Sequence, residues 1–359
     1  MARLDKLFRG LVEGGASDLH LAAGTHIRMR VDGQLKAAGQ KILTADQIQV
    51  LLRELVSEEQ WDQFERTSDL DFAYAIPGVV RLRASYLRTH TGPAAVFRTI
   101  PTEILTAEQL ELPPAIVGLA GAPSGLVLVT GPTGSGKSTT LAAMIDWINR
   151  NQRKHIITIE DPIEFVHEDR NSFLVQREVG NHAPTFARAL RAAAREDPDV
   201  ILCGELRDEE TMALALDAAE MGFLVFGTLH TNNAAKTIDR VVDLFPTARQ
   251  PAARMALAGS LRGVVAQLLL RRLGGGRAAC HEVLISTPAV SNLIRVGDSQ
   301  KLPSVLQTGG AVGMTTMDQS LMHLVSDEVV APEQALAVAS DRPAFQRWLT
   351  GAPEDDAGL

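Results

Sequence analysis

The chain has 359 residues, 45% of them hydrophobic and 22% charged, with a net charge of -8 at pH 7. This length predicts two domains with buried cores, and the acidic balance argues against a broad nucleic-acid-binding surface, since such surfaces are basic. With only Cys203 and Cys280, we expect a reducing cytoplasm and neither a disulfide framework nor a structural zinc site. We also expect no signal peptide and no membrane-spanning segment.

Residues 1–100 predict a small α+β domain. Strands are expected at "ASDLHLAAG" and "HIRMRVDGQLKA", where Asp32-Gly33 is a favoured hairpin dipeptide, and at "DLDFAYAI". "VVRLRASYL" and "AAVFRTI" predict a second hairpin around "THTGP". Between them, "TADQIQVLLRELVSEEQWDQF" has helical apolar spacing after Thr44, an N-cap residue, and predicts one amphipathic helix.

Residues 101–122, rich in proline and glycine, predict a linker into a second domain at 123–359. There, short apolar runs such as "GLVLVT", "HIITIE", "DVILCGE" and "FLVFGTLHT" alternate with helical stretches. This alternation predicts an α/β domain with a mostly parallel sheet covered on both faces. "LRGVVAQLLLRRLGGG" is expected to be a helix that ends at Gly274.

"GPTGSGKSTT" matches the pattern GxxxxGK[ST] and lies between a predicted strand and a predicted helix. Glycines let consecutive backbone N–H groups point at phosphate oxygens, so the loop predicts ATP binding. We expect Lys137 to reach the β- and γ-phosphates and Ser138 to be the Mg²⁺ ligand. The predicted nucleotide-binding residues are Gly131, Pro132, Thr133, Gly134, Ser135, Gly136, Lys137, Ser138 and Thr139.

Acidic residues and a histidine follow three other apolar strands. Glu205 ends "VILCGE", where its carboxylate can activate the water that attacks the γ-phosphate or hold Mg²⁺ through water. Glu160, Asp161 and Glu164 cluster in "ITIEDPIEF" and would repel one another without a cation such as Mg-nucleotide. His230 ends "LVFGTLHTNN" and can hydrogen-bond the γ-phosphate. Solvated acidic turns and a structural histidine are the alternatives.

Four of the arginines in the first domain of this acidic chain lie close together in sequence, Arg81, Arg83, Arg88 and Arg98. Arg81 and Arg83 share one face of a strand, since side chains alternate with period two. Guanidinium groups suit phosphate oxygens and can stabilise charge in phosphoryl transfer. An ordinary solvated strand face explains the pattern equally well, so the residues alone leave both interpretations open.

Together these motifs resemble the type II/IV secretion ATPase superfamily, and within it the type IV pilus retraction ATPase (PilT-like) family. The resemblance runs in order from "GASDLHL" through "DFAYAIPG", "AAVFRTIP", the phosphate loop, "ITIEDPIEFVHE", "DPDVILCGELRDEET" and "LVFGTLHTNNAAKTIDRVVDLFP" to "LRGVVAQLLL" and "GMTTMDQSL". It therefore covers nearly the whole chain.

The resemblance implies a ring-shaped homohexamer whose subunits carry an N-terminal PAS-like domain and a C-terminal RecA-like ATPase domain. Matched motif by motif, it implies a Walker A role for Lys137 and Ser138, the Walker B glutamate for Glu205, the Asp box for Glu160, Asp161 and Glu164, the second His-box histidine for His230, and nucleotide contact for Arg83 and Arg98.

Two departures from the family pattern bear on function. The His box of the family usually reads "GHLVFGTLHT", whereas Phe223 stands here in place of the first histidine. Retraction ATPases typically carry an "AIRNLIRE"-like segment, whereas this chain has "AVSNLIRV", with Ser291 replacing an arginine and Val296 an acid. A charged contact is therefore missing, and retraction is less firmly indicated than ATP hydrolysis.

The leading hypothesis is a hexameric Mg-ATPase motor that drives type IV pilus retraction and twitching motility. We expect it in the cytoplasm, peripheral to the inner membrane at the pilus base through its partners. The expected partners are an inner-membrane platform protein of the pilus and, as an alternative left open, a paralogous pilus motor. We expect no nucleic-acid partner. An auxiliary paralogue, a nucleotide-gated scaffold, or a secretion or pilus-assembly ATPase are the rival hypotheses. The last is disfavoured because a tetracysteine module and a longer N-terminus are absent from the sequence.

Overall fold

The computed structural model describes residues 2–31, 34–100 and 103–351. The chain divides into two compact units. The first comprises Met1–Glu103 together with the short segment Pro162–Val166, and the second comprises Ile104–Asp161 and His167–Leu359. The expected fold class, an α+β unit followed by an α/β unit with a mostly parallel sheet, is confirmed.

The first unit is a six-stranded antiparallel sheet with three helices. The sheet order is β3-β2-β1-β6-β5-β4. Its apolar face packs on the helices around a core that includes Phe8, Phe64, Tyr86 and Phe97. The elements are α1 Asp5–Glu13, β1 Asp18–Ala22, β2 His26–Val31, β3 Gln34–Ile42, α2 Ala45–Arg53, α3 Glu58–Thr67, β4 Asp69–Ile76, β5 Val80–Thr89 and β6 Gly92–Ile100.

Both predicted hairpins are present as antiparallel pairs, β2 with β3 and β5 with β6. The Asp32-Gly33 turn itself lies outside the described residues. The single helix expected after Thr44 is wrong in one respect, because α2 ends at Arg53 and α3 begins at Glu58. Ser57 is the reason. Its hydroxyl oxygen accepts a hydrogen bond from the Gln60 backbone N–H, and the Ser57 backbone N–H donates to Oε1 of Gln60. This capping box starts a new helix.

The second unit is built on a seven-stranded sheet in the order β13-β12-β7-β11-β10-β8-β9. All neighbouring pairs are parallel except β12 with β13. The elements are α4 Pro114–Ala120, β7 Gly125–Thr130, α5 Lys137–Asn151, β8 His155–Glu160, β9 Phe173–Glu178, α6 Phe186–Ala193, β10 Val200–Cys203, α7 Glu209–Glu220, β11 Leu224–Leu229, α8 Ala234–Asp243, α9 Gln250–Ser260, β12 Leu261–Arg271, β13 Arg277–Ile285, α10 Pro288–Val296, α11 Leu302–Thr308, α12 Met317–Ser326, α13 Pro332–Val338 and α14 Arg342–Thr350.

Helices cover both faces of this sheet, as the continuous apolar runs predicted. Along β7, Leu126 and Leu128 belong to one core cluster, with residues of α6 to α9. Val127 and Val129 belong to another cluster, with residues of α4 and α5. Because successive side chains of a strand point to opposite faces, the two clusters lie on opposite sides of the sheet.

The helix expected in "LRGVVAQLLLRRLGGG" is wrong: this stretch forms β12, Leu261–Arg271. β12 pairs in parallel with β7 and antiparallel with β13. Its residues are buried on both faces, so it carries neither the alternation of a half-buried strand nor the spacing of a surface helix. An apolar run of this kind does not distinguish a buried strand from a buried helix.

The segment expected as a linker packs into the second unit from Ile104 onward. It forms α4, and Leu112, Ile116 and Leu119 are buried in the same cluster as the inward face of α5. The two prolines at 113 and 114 start this helix instead of interrupting the chain, because proline is well tolerated in a first helical turn. Pro101 and Thr102 lie outside the described residues.

In the part of the chain that the structure describes, no helix has both the length and the apolar character needed to cross a bilayer. The helix after the phosphate loop, α5, has 15 residues and includes buried polar side chains at Asp146 and Asn149. Cys203 and Cys280 are both buried free thiols. Burial raises the pKa of each thiol to about 12, so both remain protonated at neutral pH.

Candidate nucleotide-binding site

The phosphate loop joins the end of β7 to the start of α5. Gly131 has φ of 146° and Gly136 has φ of 88°, backbone conformations that favour glycine. Space is a second constraint, since a Cβ on Gly136 would lie 2.8 Å from Nε2 of Gln267. The sequence prediction of a strand, a glycine loop and a helix at this position is confirmed.

Lys137 opens α5 and folds back over the loop. Its Nζ donates to the carbonyl oxygen of Gly131 at 2.7 Å and to that of Pro132 at 3.1 Å. Pro132, Thr133, Gly134 and Ser138 are exposed around it. The first N–H groups of α5 have no partner within the helix, so this helix start, with an ammonium beside it, suits a phosphate group.

The strand order brings the other predicted residues of the second unit to the same edge of the sheet. β7, β11, β10 and β8 are consecutive neighbours in parallel register. The residues that follow their carboxyl ends are the phosphate loop, His230, Glu205 and, at the last position of β8, Glu160. Ligands bind at this edge in open α/β sheets, especially where the strand order reverses.

Glu205 lies between a histidine and an arginine. Its Oε1 is 3.0 Å from Nε2 of His230, and its Oε2 is 2.6 Å from Nη2 of Arg207. Burial alone would raise the pKa of Glu205, but the hydrogen bond and charge of Arg207, followed by His230, outweigh burial and lower that pKa. The Glu205 carboxylate is therefore ionised at neutral pH and is 18% exposed, so a water molecule can reach it.

Glu160 and Asp161 lie beside this group at the end of β8. Glu160 accepts hydrogen bonds from Oγ1 of Thr158 at 2.6 Å and from Nε2 of Gln176 at 3.2 Å. Asp161 contributes to the raised pKa of Arg207, whose main cause is the hydrogen bond to Glu205. Glu164, the third predicted acid of this segment, belongs instead to the first unit.

Arg83 and Arg98 lie in the first unit, directly opposite each other on β5 and β6. Both are exposed, and they therefore share the polar face of that sheet. Nε of Arg98 donates to Oδ1 of Asp18 at 2.8 Å, and this carboxylate is itself only 4% exposed. The Arg98 guanidinium is thus held at Nε by a buried carboxylate, while most of the side chain is exposed.

Sequence reasoning missed several residues that contact the predicted ones, among them Arg207, Asp18 and Gln267. Arg207 stands two positions after Glu205 in "GELRD", and its charge was the available signal. Asp18 is an acid within an apolar strand. Gln267 is one polar residue within the apolar run "VVAQLLL", and assigning that run to a helix concealed its contact with the phosphate loop.

The structure also locates the departures from the family pattern. Phe223 precedes β11, whereas His230 follows it, so six strand residues separate the two positions. At about 3.3 Å per residue, Phe223 lies roughly 20 Å from the sheet edge that carries Glu205 and His230, and it packs against the core of the unit. On α10, Ser291 contacts the Ser286 hydroxyl at 3.3 Å, and the Val296 side chain is exposed.

Within residues 2–31, 34–100 and 103–351, the His, Cys, Asp and Glu side chains form no group of three or more that could hold a metal ion. Ser138 is an exposed residue in the first turn of α5 and follows Lys137 in the chain. Its hydroxyl, combined with phosphate oxygens, is a suitable donor set for Mg²⁺, which prefers oxygen ligands and keeps several waters.

A model of the protein family described as "Type II/IV secretion system protein" matches residues 1–328. A Pseudomonas aeruginosa protein described as the type IV pilus retraction ATPase PilT is 50% identical over 321 residues, which cover 89% of this chain and 93% of that protein. The type IV pilus ATPase PilU of the same organism is 38% identical over 354 residues, covering 98% of this chain and 93% of that protein.

Among solved structures, the pilus retraction motor PilT with bound ADP is similar to this chain over its whole length. The TM-score is 0.88 and the sequence identity 43%, with 97% of this chain and 99% of that chain covered.

Proposed function

The chain belongs to the Type II/IV secretion system protein family, and on that premise we propose that it is the ATP-hydrolysing motor of type IV pilus retraction, working as a homohexamer. It is a nucleotide-binding ATPase of the P-loop class. The observation that carries the proposal is the alignment of the phosphate loop, His230, Glu205 and Glu160 at one sheet edge, in a chain half identical to a retraction ATPase.

In this proposal Glu205 is the general base. Its carboxylate is ionised, partly exposed, and oriented by Arg207 and His230 on its two oxygens. A base held in this way can take the proton of a water molecule as that water attacks the terminal phosphorus. His230 follows β11, the strand between β7 and β10. In this proposal it hydrogen-bonds the γ-phosphate and so links the presence of that phosphate to the base.

The phosphate loop is the proposed nucleotide-binding site. When nucleotide binds, Lys137 would exchange its hydrogen bonds to the Gly131 and Pro132 carbonyls for contacts with the β- and γ-phosphates. Ser138 is the proposed protein ligand of Mg²⁺, and Glu160 and Asp161 are proposed to act on its bound waters. When bound, Mg²⁺ neutralises charge on the phosphate oxygens. For Arg83, Arg98 and Glu164, all in the first unit, we propose the roles that the family resemblance implies, nucleotide contact for the two arginines and an Asp-box role for the glutamate.

The first unit, close to the predicted 1–100, is the proposed PAS-like domain, and the second is the proposed RecA-like motor domain. We propose that hydrolysis drives a conformational change that moves a partner in the membrane. That partner is the inner-membrane platform protein of the pilus, which would hold the motor at the cytoplasmic face. No nucleic acid is involved.

An auxiliary role beside another pilus motor is the second candidate, and one observation favours it. "AVSNLIRV" lacks the charged residues that retraction ATPases carry in this helix, and Val296 is exposed there. Two observations favour retraction itself. The chain is 50% identical to PilT and 38% identical to PilU. Phe223 lies far from the sheet edge that carries Glu205, so the substitution at this position removes no group that contacts the proposed base.

Deletion of the gene, followed by counting of surface pili and a twitching assay, tests the proposed function. A retraction motor predicts many surface pili and immobile cells, because assembly continues without disassembly. Bald cells would contradict retraction and indicate assembly. Unchanged pili and motility would contradict both and favour the auxiliary role, which a second deletion of the paralogue would then expose.

A further inference from the structure

Gln267 is a buried polar residue in the middle of an apolar strand, β12. Its residue is 2% exposed, and the neighbours on its strand are alanine and leucine. A buried amide requires partners for its N–H₂ group and for its oxygen, because an unpaired one costs about 1–3 kcal/mol. The identity of those partners therefore indicates what the residue does.

Both ends of the Gln267 amide are occupied by the nucleotide-binding segment. Nε2 donates to the carbonyl oxygen of Ser135, inside the phosphate loop, at 2.8 Å. Oε1 accepts from Oγ1 of Thr140, in the first turns of α5, at 2.7 Å. Ser135 and Thr140 are themselves buried, so these bonds are shielded from water and no solvent molecule replaces them.

The same strand also restricts the shape of the loop sterically. A Cβ on Gly131 would collide with the Gln267 backbone oxygen, and a Cβ on Gly136 would meet Nε2 of Gln267 and the Leu269 side chain. The two ends of the glycine loop therefore close against β12. The amide then fixes the carbonyl of Ser135 away from the concave side, where phosphate oxygens require N–H donors.

We propose that Gln267 is a positioning residue that holds the phosphate loop in its phosphate-binding shape through the Ser135 carbonyl and the Thr140 hydroxyl. The inference rests on nucleotide binding at this loop. It concerns affinity for nucleotide and leaves the direction of pilus movement aside, so it is tested without pili.

The first test is the affinity of the purified full-length chain for ADP, with Gln267→Met as the variant. Methionine keeps the approximate volume and removes both hydrogen bonds. We expect the Kd of ADP to rise about tenfold or more, the consequence of losing buried hydrogen bonds. An unchanged Kd, within about twofold of the wild-type value on the same scale, would overturn the proposal.

The matched control is Asn149→Leu. Asn149 is also a buried amide bonded at both ends, to the Glu168 carbonyl and the Arg170 N–H, but it lies 12 residues along α5 from Lys137, about 18 Å away. We expect this variant to lose thermal stability with the Kd of ADP unchanged. An equal loss of ADP affinity in both variants would mean that any buried amide of this unit acts through general stability, and would refute positioning.

Gln267→Glu supplies a second, independent test and remains informative if the methionine variant does not fold. A protonated carboxyl offers a hydroxyl to Ser135 and a carbonyl to Thr140, whereas the ionised form offers no donor. Burial raises the pKa of a carboxyl, so the protonated fraction of this side chain is expected to grow as pH falls from 8 to 6. The facing His281 is neutral throughout this range, because burial lowers its pKa to about 4.

For Gln267→Glu we therefore expect weak ADP binding at pH 8 and recovery toward the wild-type Kd at pH 6, with the ratio of Gln267→Met to wild type constant between the two pH values. Weak binding of Gln267→Glu at both pH values would contradict a hydrogen-bonding role. If the wild-type chain itself failed to bind ADP, the nucleotide site would be wrong before Gln267 was tested.

Discussion

At the scale of single residues, Glu205 is held by Arg207 on one carboxylate oxygen and by His230 on the other. Lys137 and Glu205 belong to patterns whose chemistry requires those residue types, and strand order then places Glu205 beside His230. Arg207 contacts Glu205, and Asp18 contacts Arg98, from positions that carry no pattern of their own. Side-chain partners across strands depend on register, which a single sequence does not specify.

The ion pair between Arg207 and Glu205 leads to a pH prediction. Arg207 is the main group that lowers the pKa of Glu205 against the effect of burial. A base is active when ionised, so turnover is present above this pKa and is lost as pH falls through it. In Arg207→Met the pKa of Glu205 rises, and the acidic limb of the kcat profile moves to higher pH.

Phosphate release measured from pH 4.5 to 8.5, with each profile normalised to its maximum, checks this shift. Arg191→Met is the control, since Arg191 pairs with Glu210 on the exposed surface, and we expect its profile to match the wild type. Superimposable acidic limbs for Arg207→Met and wild type would argue against Glu205 as the titrating base.

At the scale of elements, short buried strands between helices were predictable, whereas β12 and the break between α2 and α3 were not. β12 was expected to be a helix and α4 part of a linker, yet these two elements pack against each other: a Cβ on Gly263 of β12 would lie 2.8 Å from a Leu119 methyl group of α4. The burial of β12 and the burial of α4 each depend on this mutual contact. Local spacing and proline content do not describe this contact.

This contact predicts opposite effects for two glycine substitutions. Gly263→Ala overpacks the contact with Leu119 and the Leu284 carbonyl, and we expect it to lower the free energy of unfolding by about 1–3 kcal/mol. Gly118→Ala lies on the exposed side of α4 with open space around it, and we expect it to raise that free energy by about 0.5–1 kcal/mol. Urea unfolding of both variants measures the difference. A Gly263→Ala chain as stable as wild type would contradict the packing.

At the scale of the whole molecule, the order of motifs along the chain predicted the fold class and the family, whereas domain limits were less accessible. The segment Pro162–Val166 joins the first unit although it follows β8 of the second. The composition of this segment does not indicate which unit it belongs to. Its place in the first unit depends on tertiary contacts such as the hydrogen bond from Nε of Arg81 to the Ile163 carbonyl.

A complemented deletion strain tests most directly whether ATP hydrolysis, with Glu205 as the base, powers retraction. Surface pili are counted in deletion cells that express the wild-type chain, Glu205→Gln or the surface control Glu210→Gln at equal levels. We predict that wild type and Glu210→Gln restore normal pilus numbers and twitching, while Glu205→Gln leaves the cells immobile and covered with pili. Full restoration by Glu205→Gln would contradict the account.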